Sequence, residues 1–310
     1  MTDNTVVRIG ARGSRLSLAQ TGHMRDALAA AHPDRRFEIT PIVTTGDRIQ
    51  DRPLSESGGK GLFTKELDEA LLDGRIHLAV HSMKDLPTLL PDGIVLAGVP
   101  AREDPRDALI CMGEVSSLAD LPDDARIGTA SLRRQAQLLS RRPTFRVSML
   151  RGNVETRMRK VESGEFDATL LAYAGLRRLG LGEHAKALID PVETPPACGQ
   201  GALAITARPE DADIMGVIAA VEDTTTRLEI AAERAFLGAL DGSCRTPIAG
   251  LGRWFQGTLH FAGEALTPDG RRCWRRTASA SCTTETEAIA LGDRLGREVR
   301  AEAGEELYAD

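Results

Sequence analysis

The stretch Ile9-Gly10-Ala11-Arg12-Gly13-Ser14-Arg15-Leu16 (IGARGSRL) has a counterpart at Ile127-Gly128-Thr129-Ala130-Ser131-Leu132-Arg133-Arg134 (IGTASLRR). Each leaves an apolar strand through Ile-Gly, reaches a serine suited to cap a helix, and sets arginine where that helix begins. A strand that turns into a helix start presents backbone N–H groups, and the arginines add positive charge beside them. Two such units imply two α/β lobes of similar build that face one hinged cleft.

Outward from the first unit, apolar strand patterns at 6–9 and 37–44 flank a helix at 16–31, with Ser14 as its cap. The polar run 45–61 reads as a hinged lid ahead of a helix at 62–72. Its Gly58-Gly59-Lys60-Gly61 does not meet the GxxxxGK[ST] phosphate-loop pattern. A strand at 76–80 then delivers His81, Ser82, Met83, Lys84 and Asp85 at its carboxyl end, where open α/β sheets bind their ligands. A carboxylate held there among cations stays ionised, and it can stabilise a developing cation or shuttle a proton. Lys84 and Asp85 also allow the plainer reading of a surface pair.

After a strand at 94–99, the Pro- and charge-rich segment 100–107 reads as a crossover. In the second lobe, strand ends repeatedly deliver arginine: Arg133 and Arg134, then Arg151 ahead of Gly152 and Asn153 with Arg157 one turn on, then Arg177 and Arg178. Bidentate guanidinium suits carboxylate or phosphate, so the implied ligand is a small polyanion. The segment 195–201 reads as a second crossover, and a strand at 202–206 returns to the first sheet. Helices at 209–221 and 225–240 follow, the second with a capping box of Thr226 and Glu229. Strands at 254–262 and 272–280 and a helix at 284–301 complete the chain.

The expected fold class is therefore α/β: two lobes with a hinged cleft, plus a small α+β C-terminal domain. Residues 1–101 with 202–220 form the first lobe, 106–196 the second, and 224–310 the third domain. A chain of 310 residues exceeds the size of one growing core, which agrees with several domains. With 42% hydrophobic and 27% charged residues the composition is that of an ordinary globular protein.

Charge and cysteine usage exclude several classes. Against 45 acidic residues stand 39 Lys and Arg, a net −6, so no nucleic-acid partner is expected. The N-terminus lacks a basic stretch followed by an apolar one, and no run approaches a membrane span; a cytoplasmic protein without a membrane partner is expected. Five scattered cysteines without a CxxC argue against a disulfide framework or zinc, and His77 and His81 lie in a strand pattern, so no metal site is expected. Cys244 stands apart in the glycine-rich loop 240–250, where small neighbours expose the sulfur and Arg245 favours the thiolate. The residues alone leave open a reactive thiol or an ordinary turn cysteine. They also leave open an enzyme or a hinged module that only binds small anions.

Nine ordered blocks carry a family resemblance: TTGDR at 44–48, GGKGLFTKEL at 58–67, AVHSMKDLP at 79–87, REDPRDA at 102–108, GTASLRRQAQL at 128–138, LRGNVETR at 150–157, LAYAGLRRLG at 171–180, GQGAL at 199–203 and DGSCRTPIAG at 241–250. On these the chain resembles the porphobilinogen deaminase (hydroxymethylbilane synthase) family over nearly its whole length. The resemblance implies a three-domain enzyme with two lobes like those of periplasmic binding proteins, acting as a monomer in tetrapyrrole biosynthesis. Such an enzyme condenses four porphobilinogen molecules head to tail into hydroxymethylbilane and releases ammonia at each step.

By the same resemblance Cys244 carries a covalent dipyrromethane cofactor through a thioether, and Asp85 is the catalytic carboxylate, assisted by Lys84. Ser14, Lys84, Asp85, Thr129, Ser131, Arg133, Arg134 and Gly152 match cofactor-binding positions. Arg12, Ser82, Arg151, Arg157, Arg178, Gln20, Lys60 and Phe63 match substrate-binding positions, and Asp47 a further loop position. Glu56 departs from the family's lid pattern, and Cys198 is unusual at the second crossover. Each porphobilinogen brings two carboxylates, so the arginine-rich strand ends agree with the implied ligand.

Overall fold

The computed structural model describes residues 6–48, 61–240 and 246–308. In chain order, the first elements are β1 (Val7–Arg12), α1 (Arg15–Ala31), β2 (Phe37–Ile42), the short α2 (Thr45–Arg48), α3 (Lys65–Leu72), β3 (Leu78–Ser82) and β4 (Val95–Gly98). The next group is β5 (Asp107–Cys111), β6 (Arg126–Gly128), α4 (Leu132–Arg141), β7 (Arg146–Ser148), α5 (Val154–Glu162), β8 (Ala168–Ala172), α6 (Tyr173–Arg178) and β9 (Ala187–Leu188). The chain ends with β10 (Leu203–Ala207), α7 (Ala212–Ala219), α8 (Thr224–Ala239), β11 (Ile248–Phe255), β12 (Thr258–Leu266), β13 (Cys273–Ser281) and α9 (Glu285–Ala303).

Two five-stranded sheets share one plan. The first runs β2-β1-β3-β10-β4 and the second β7-β6-β8-β5-β9. In each, the first three strands are parallel and the fourth is antiparallel to both of its neighbours. The antiparallel strand is in both cases the one that follows a crossover segment. β10 thus returns to the first sheet as its sequence position predicts, while β5 extends the 100–107 segment into a fully buried strand that the sequence reading leaves out.

The Ile-Gly pairs explain the internal likeness. A Cβ on Gly10 would stand 2.3 Å from Ile76 Cδ1, and one on Gly128 would stand 2.8 Å from Leu150 Cβ and 2.9 Å from Phe166 Cδ1. Only glycine lets these neighbours pack so close to the strand. Each strand then enters a helix through the serine cap expected of it: Ser14 accepts from Ser17 N–H, and Ser131 from Arg134 N–H.

Compactness groups residues 1–103 with 202–227, and 104–201 with 228–310. In the first unit, Ile9, Leu28, Leu78 and Ile205 are completely buried between sheet and helices. The second unit holds the second α/β sheet, with its own core around Leu109, Ile127 and Leu138, and the three-stranded sheet β11-β12-β13. That antiparallel sheet packs against α8 and α9 around Phe236, Leu259, Phe261 and Trp274. No helix among the described residues is long and apolar enough to cross a membrane.

Two expectations for the C-terminal region are corrected. The stretch 254–262 is not one strand, because Gln256 and Gly257 turn the chain with φ of 49° and 79° and split it into the hairpin β11-β12. Thr226 and Glu229 do not form a capping box. Asp223 Oδ1 accepts from Thr226 N–H at 2.7 Å, and the Glu229 carboxylate accepts from Trp254 N–H at 3.1 Å. The capping box of this region lies on α9, between Thr284 and Glu287.

Candidate active site

In the first unit, β3 is buried along four of its five residues and ends at Ser82, so the chain must turn where the sheet stops. A single turn, Met83–Asp85, follows. Met83 is 1% exposed and its N–H donates to Ala202 O at 3.0 Å, which anchors the turn to the start of β10. Lys84 and Asp85 are left exposed beside that anchor. Asp85 lines a pocket with Arg12, Ser14, Gln20, Phe63 and Ser82, and with Ser17, Thr64 and His81. Lys84 shares the turn but is not part of that lining.

Each lining group is held by its element. Arg12 closes β1, and its guanidinium lies over the Phe63 ring, 4.1 Å from the centroid. Gln20, 4% exposed on α1, places Nε2 and Oε1 at 3.1 and 3.2 Å from Ser82 Oγ. His81 is buried with Nε2 3.0 Å from Thr206 Oγ1; burial, and secondarily the Arg12 charge, push its pKa down to about 4. The imidazole is therefore neutral at pH 7. The pocket combines a stacked cation, a capped helix start, hydroxyls, an aromatic face and a carboxylate.

In the second unit, Arg133 and Arg134 turn inward. Both are about 6% exposed, and both pair with Asp107 on β5, Arg133 Nη1 to Oδ2 at 2.9 Å and Arg134 Nη2 to Oδ1 at 2.8 Å. Burial works against the Asp107 charge, but the two guanidiniums hold its carboxyl far below the usual carboxylate range. Thr129 is buried, and its Oγ1 accepts from Ser131 N–H at 3.1 Å, which shapes the turn into α4. Arg178, at the end of α6, donates from Nη2 to Gly201 O at 2.7 Å.

Arg151 and Arg157 behave differently. Arg151 Nη1 is buried and has no hydrogen-bond partner among the described residues. Arg157 donates from Nε to Gly152 O at 2.8 Å, and burial followed by the charges of Arg134 and Arg151 pushes its pKa down to about 10. Gly152 takes φ of 117°, and a Cβ there would stand 2.8 Å from Thr156 Cγ2, so the turn leading into α5 requires glycine. A buried donor without an acceptor among mutually repelling cations is a site short of negative charge. A ligand that carries carboxylates fits these residues.

Lys60, Glu56 and Cys244 lie outside the described residues, as does the side chain of Asp47. The sequence reading misses Asp107, Gln137 and Glu264. Gln137 Nε2 donates to Glu264 Oε1 at 2.7 Å and to Pro195 O at 2.9 Å, while Arg133 Nη1 donates to Gln137 Oε1 at 2.7 Å. The signal for Asp107 is the run Ala108-Leu109-Ile110-Cys111 behind it: a carboxylate that opens a buried strand needs cationic partners.

Residues 7–216 match the family model described as porphobilinogen deaminase, dipyromethane cofactor binding domain, and residues 227–301 match porphobilinogen deaminase, C-terminal domain. A protein of Phenylobacterium zucineum (strain HLK1) named porphobilinogen deaminase is 54% identical, with 99% of each chain covered. One of the same name from Caulobacter sp. (strain K31) is 54% identical over 97% of each. Among solved structures, the methionine binding protein MetQ is 12% identical, covers 71% of this chain and 91% of its own, and has a TM-score of 0.45, which leaves it silent on function. With both models matched in order and identity above half from end to end, the chain belongs to the porphobilinogen deaminase family.

Proposed function

We propose that this chain is a hydroxymethylbilane synthase, a transferase of tetrapyrrole biosynthesis that joins four porphobilinogen molecules head to tail with release of ammonia at each addition. It is primed by a dipyrromethane cofactor in thioether linkage to Cys244. When bound, that group supplies the pyrrole terminus from which the product grows. The observation that carries the assignment of roles is the Asp85 carboxylate in a pocket with Arg12 and Phe63.

Loss of the substrate amine breaks a C–N bond and leaves positive charge on the pyrrole. Asp85 stabilises that charge, and its carboxylate also lies where it can hold a pyrrole N–H. Phe63 offers a flat apolar face to the ring, and Arg12, Ser14, Gln20 and Ser82 orient the substrate's acetate and propionate groups. Arg151 and Arg157 take carboxylates that neutralise their unmatched charge, with Thr129, Ser131, Gly152 and Arg178 shaping the surrounding turns. Lys84 supports Asp85 from the same turn, and Lys60 adds a further cation.

Three domains support this division of labour, 1–101 with 202–220, 106–196 and 224–310; the three sheets favour that partition. We further infer a monomer in the cytoplasm that binds neither nucleic acid nor membrane; the net charge of −6 disfavours nucleic acid, and no helix among the described residues is long and apolar enough to cross a membrane. The test is incubation of the purified protein with porphobilinogen. One ammonia per substrate consumed, together with a linear tetrapyrrole by mass, is expected. Porphobilinogen left unconsumed by protein that carries the added mass at Cys244 would refute the assignment.

A further inference from the structure

Asp107 is 3% exposed at the head of β5 and draws three side chains to itself. Besides Arg133 and Arg134, Gln200 donates from Nε2 to Oδ1 at 2.8 Å. Arg134 is held by three hydrogen bonds to two acceptors, with Nε and Nη2 on Asp107 Oδ1 at 3.2 and 2.8 Å and Nη1 on Leu170 O at 2.8 Å. Thr129, in the turn that leads into α4, donates its N–H to Ser148 O at 2.9 Å and accepts from Leu150 N–H at 3.2 Å, which sets the start of α4 beside the segment that leads into Arg151 and Arg157; the charge of Arg134 acts on Arg157, as does that of Arg151. Like charges gathered in a poorly hydrated region repel, and a long side chain relieves the repulsion by rotating away unless it is held. The grip on Arg134 opposes that escape.

We propose that Asp107 is a positioning residue of the carboxylate-binding site: by pinning Arg134 beside Arg157 it keeps the arginine cluster assembled before an anion arrives. Preassembled charge binds an anion more tightly because the ordering cost is met on folding rather than on binding. The ion pair itself adds little net stability once desolvation is counted, which leaves placement as its main effect. This inference rests on the reading of Arg151 and Arg157 as holders of ligand carboxylates.

The test compares Asp107→Asn, which keeps the shape and removes the charge, with Arg151→Ala, both purified as holoenzyme and assayed with porphobilinogen. Expected for Asp107→Asn is a KM raised about tenfold with kcat within about threefold. Because Asp107 acts through Arg134, the double variant Asp107→Asn, Arg134→Met should have a KM within about twofold of Arg134→Met alone. Effects that multiply overturn the proposal, as does a wild-type KM in Asp107→Asn. A folded Asp107→Asn that has lost the mass at Cys244 shows the same failure to hold carboxylates and supports it.

The control separates the two readings. If Arg151→Ala raises KM and Asp107→Asn does not, only the positioning role fails; if Arg151→Ala leaves KM unchanged, the carboxylate reading fails and takes the proposal with it. Should Asp107→Asn not fold, Arg134→Lys retains the charge but loses the fork that grips Asp107 and Leu170. It should raise KM about fivefold, and a wild-type value overturns the proposal.

Discussion

The guanidinium of Arg12 stacks on the ring of Phe63 at 4.1 Å, so a cation and an aromatic face from opposite sides of a long polar segment meet at one wall of the pocket. A guanidinium held by its face keeps its in-plane N–H groups directed at acceptors. Phe63→Leu retains apolar bulk and loses the quadrupole, at about 0.5–1 kcal/mol. Steady-state kinetics should show KM raised about three- to fivefold. An unchanged KM would mean that the stack does not orient Arg12.

Asp85 sits on an anchored turn, so its removal is expected to spare the fold. Asp85→Asn should melt within about 2 °C of the parent, retain the mass at Cys244 and lose about 10²- to 10³-fold in kcat. Rapid-quench measurement of ammonia release checks this. Full turnover would exclude the electrostatic role.

Cys244 is testable without kinetics. Intact mass of the purified protein should show one added dipyrromethane unit, and peptide mapping should place it on Cys244; Cys244→Ser should lack it. An active protein of unmodified mass would remove the cofactor assignment.

Asp68, on α3, is 6% exposed with Oδ1 unpaired among the described residues, and burial, opposed by the Thr64 hydroxyl, raises its pKa to about 6. Its unfolded value is about 4, so between pH 4 and 6 the folded chain binds more protons than the unfolded one. This group's contribution to stability is therefore fully present below about pH 4 and is lost as pH rises through about 6. Asp68→Asn should stabilise the protein at pH 7.5 by about 1 kcal/mol, allowing for solvent screening, and by much less at pH 4.5. Thermal unfolding at the two pH values decides it, and equal shifts at both would contradict the protonation account.

The two Ile-Gly pairs are predicted to differ in tolerance. Gly10→Ala meets the movable end of Ile76, whereas Gly128→Ala meets Leu150 Cβ and the Phe166 ring. Gly128→Ala should cost about 2–3 kcal/mol in denaturant unfolding and Gly10→Ala clearly less. The reverse order would show that the second lobe yields more readily than its packing implies.

Local signals were readable in the sequence. Ser14, Ser131 and Asn153 cap the helices that follow them because capping depends on residues three apart, and apolar alternation locates most strands. Long-range pairing was not. Arg133 and Arg134 read as cations for a ligand because nothing near them in the chain neutralises them. Their partner Asp107 is brought near by the antiparallel insertion of β5, in a segment whose charges and prolines look like a connector. The hairpin at Gln256 was hidden for a related reason: alternation runs unbroken through a two-residue turn. Glu229 had a plausible local partner in Thr226 and a stronger distant one in Trp254 N–H.

The strand β10 lies between β3 and β4, although β4 ends at Gly98 and β10 begins at Leu203. During synthesis the first sheet is thus emitted with a gap in its middle that stays open while about a hundred further residues leave the ribosome. The second sheet, whose strands lie within 107–188, has no such wait. The sheet begun first is then the one finished later, and a nascent protein arrested near residue 200 would expose the facing edges of β3 and β4 to chaperones or to another copy's β10.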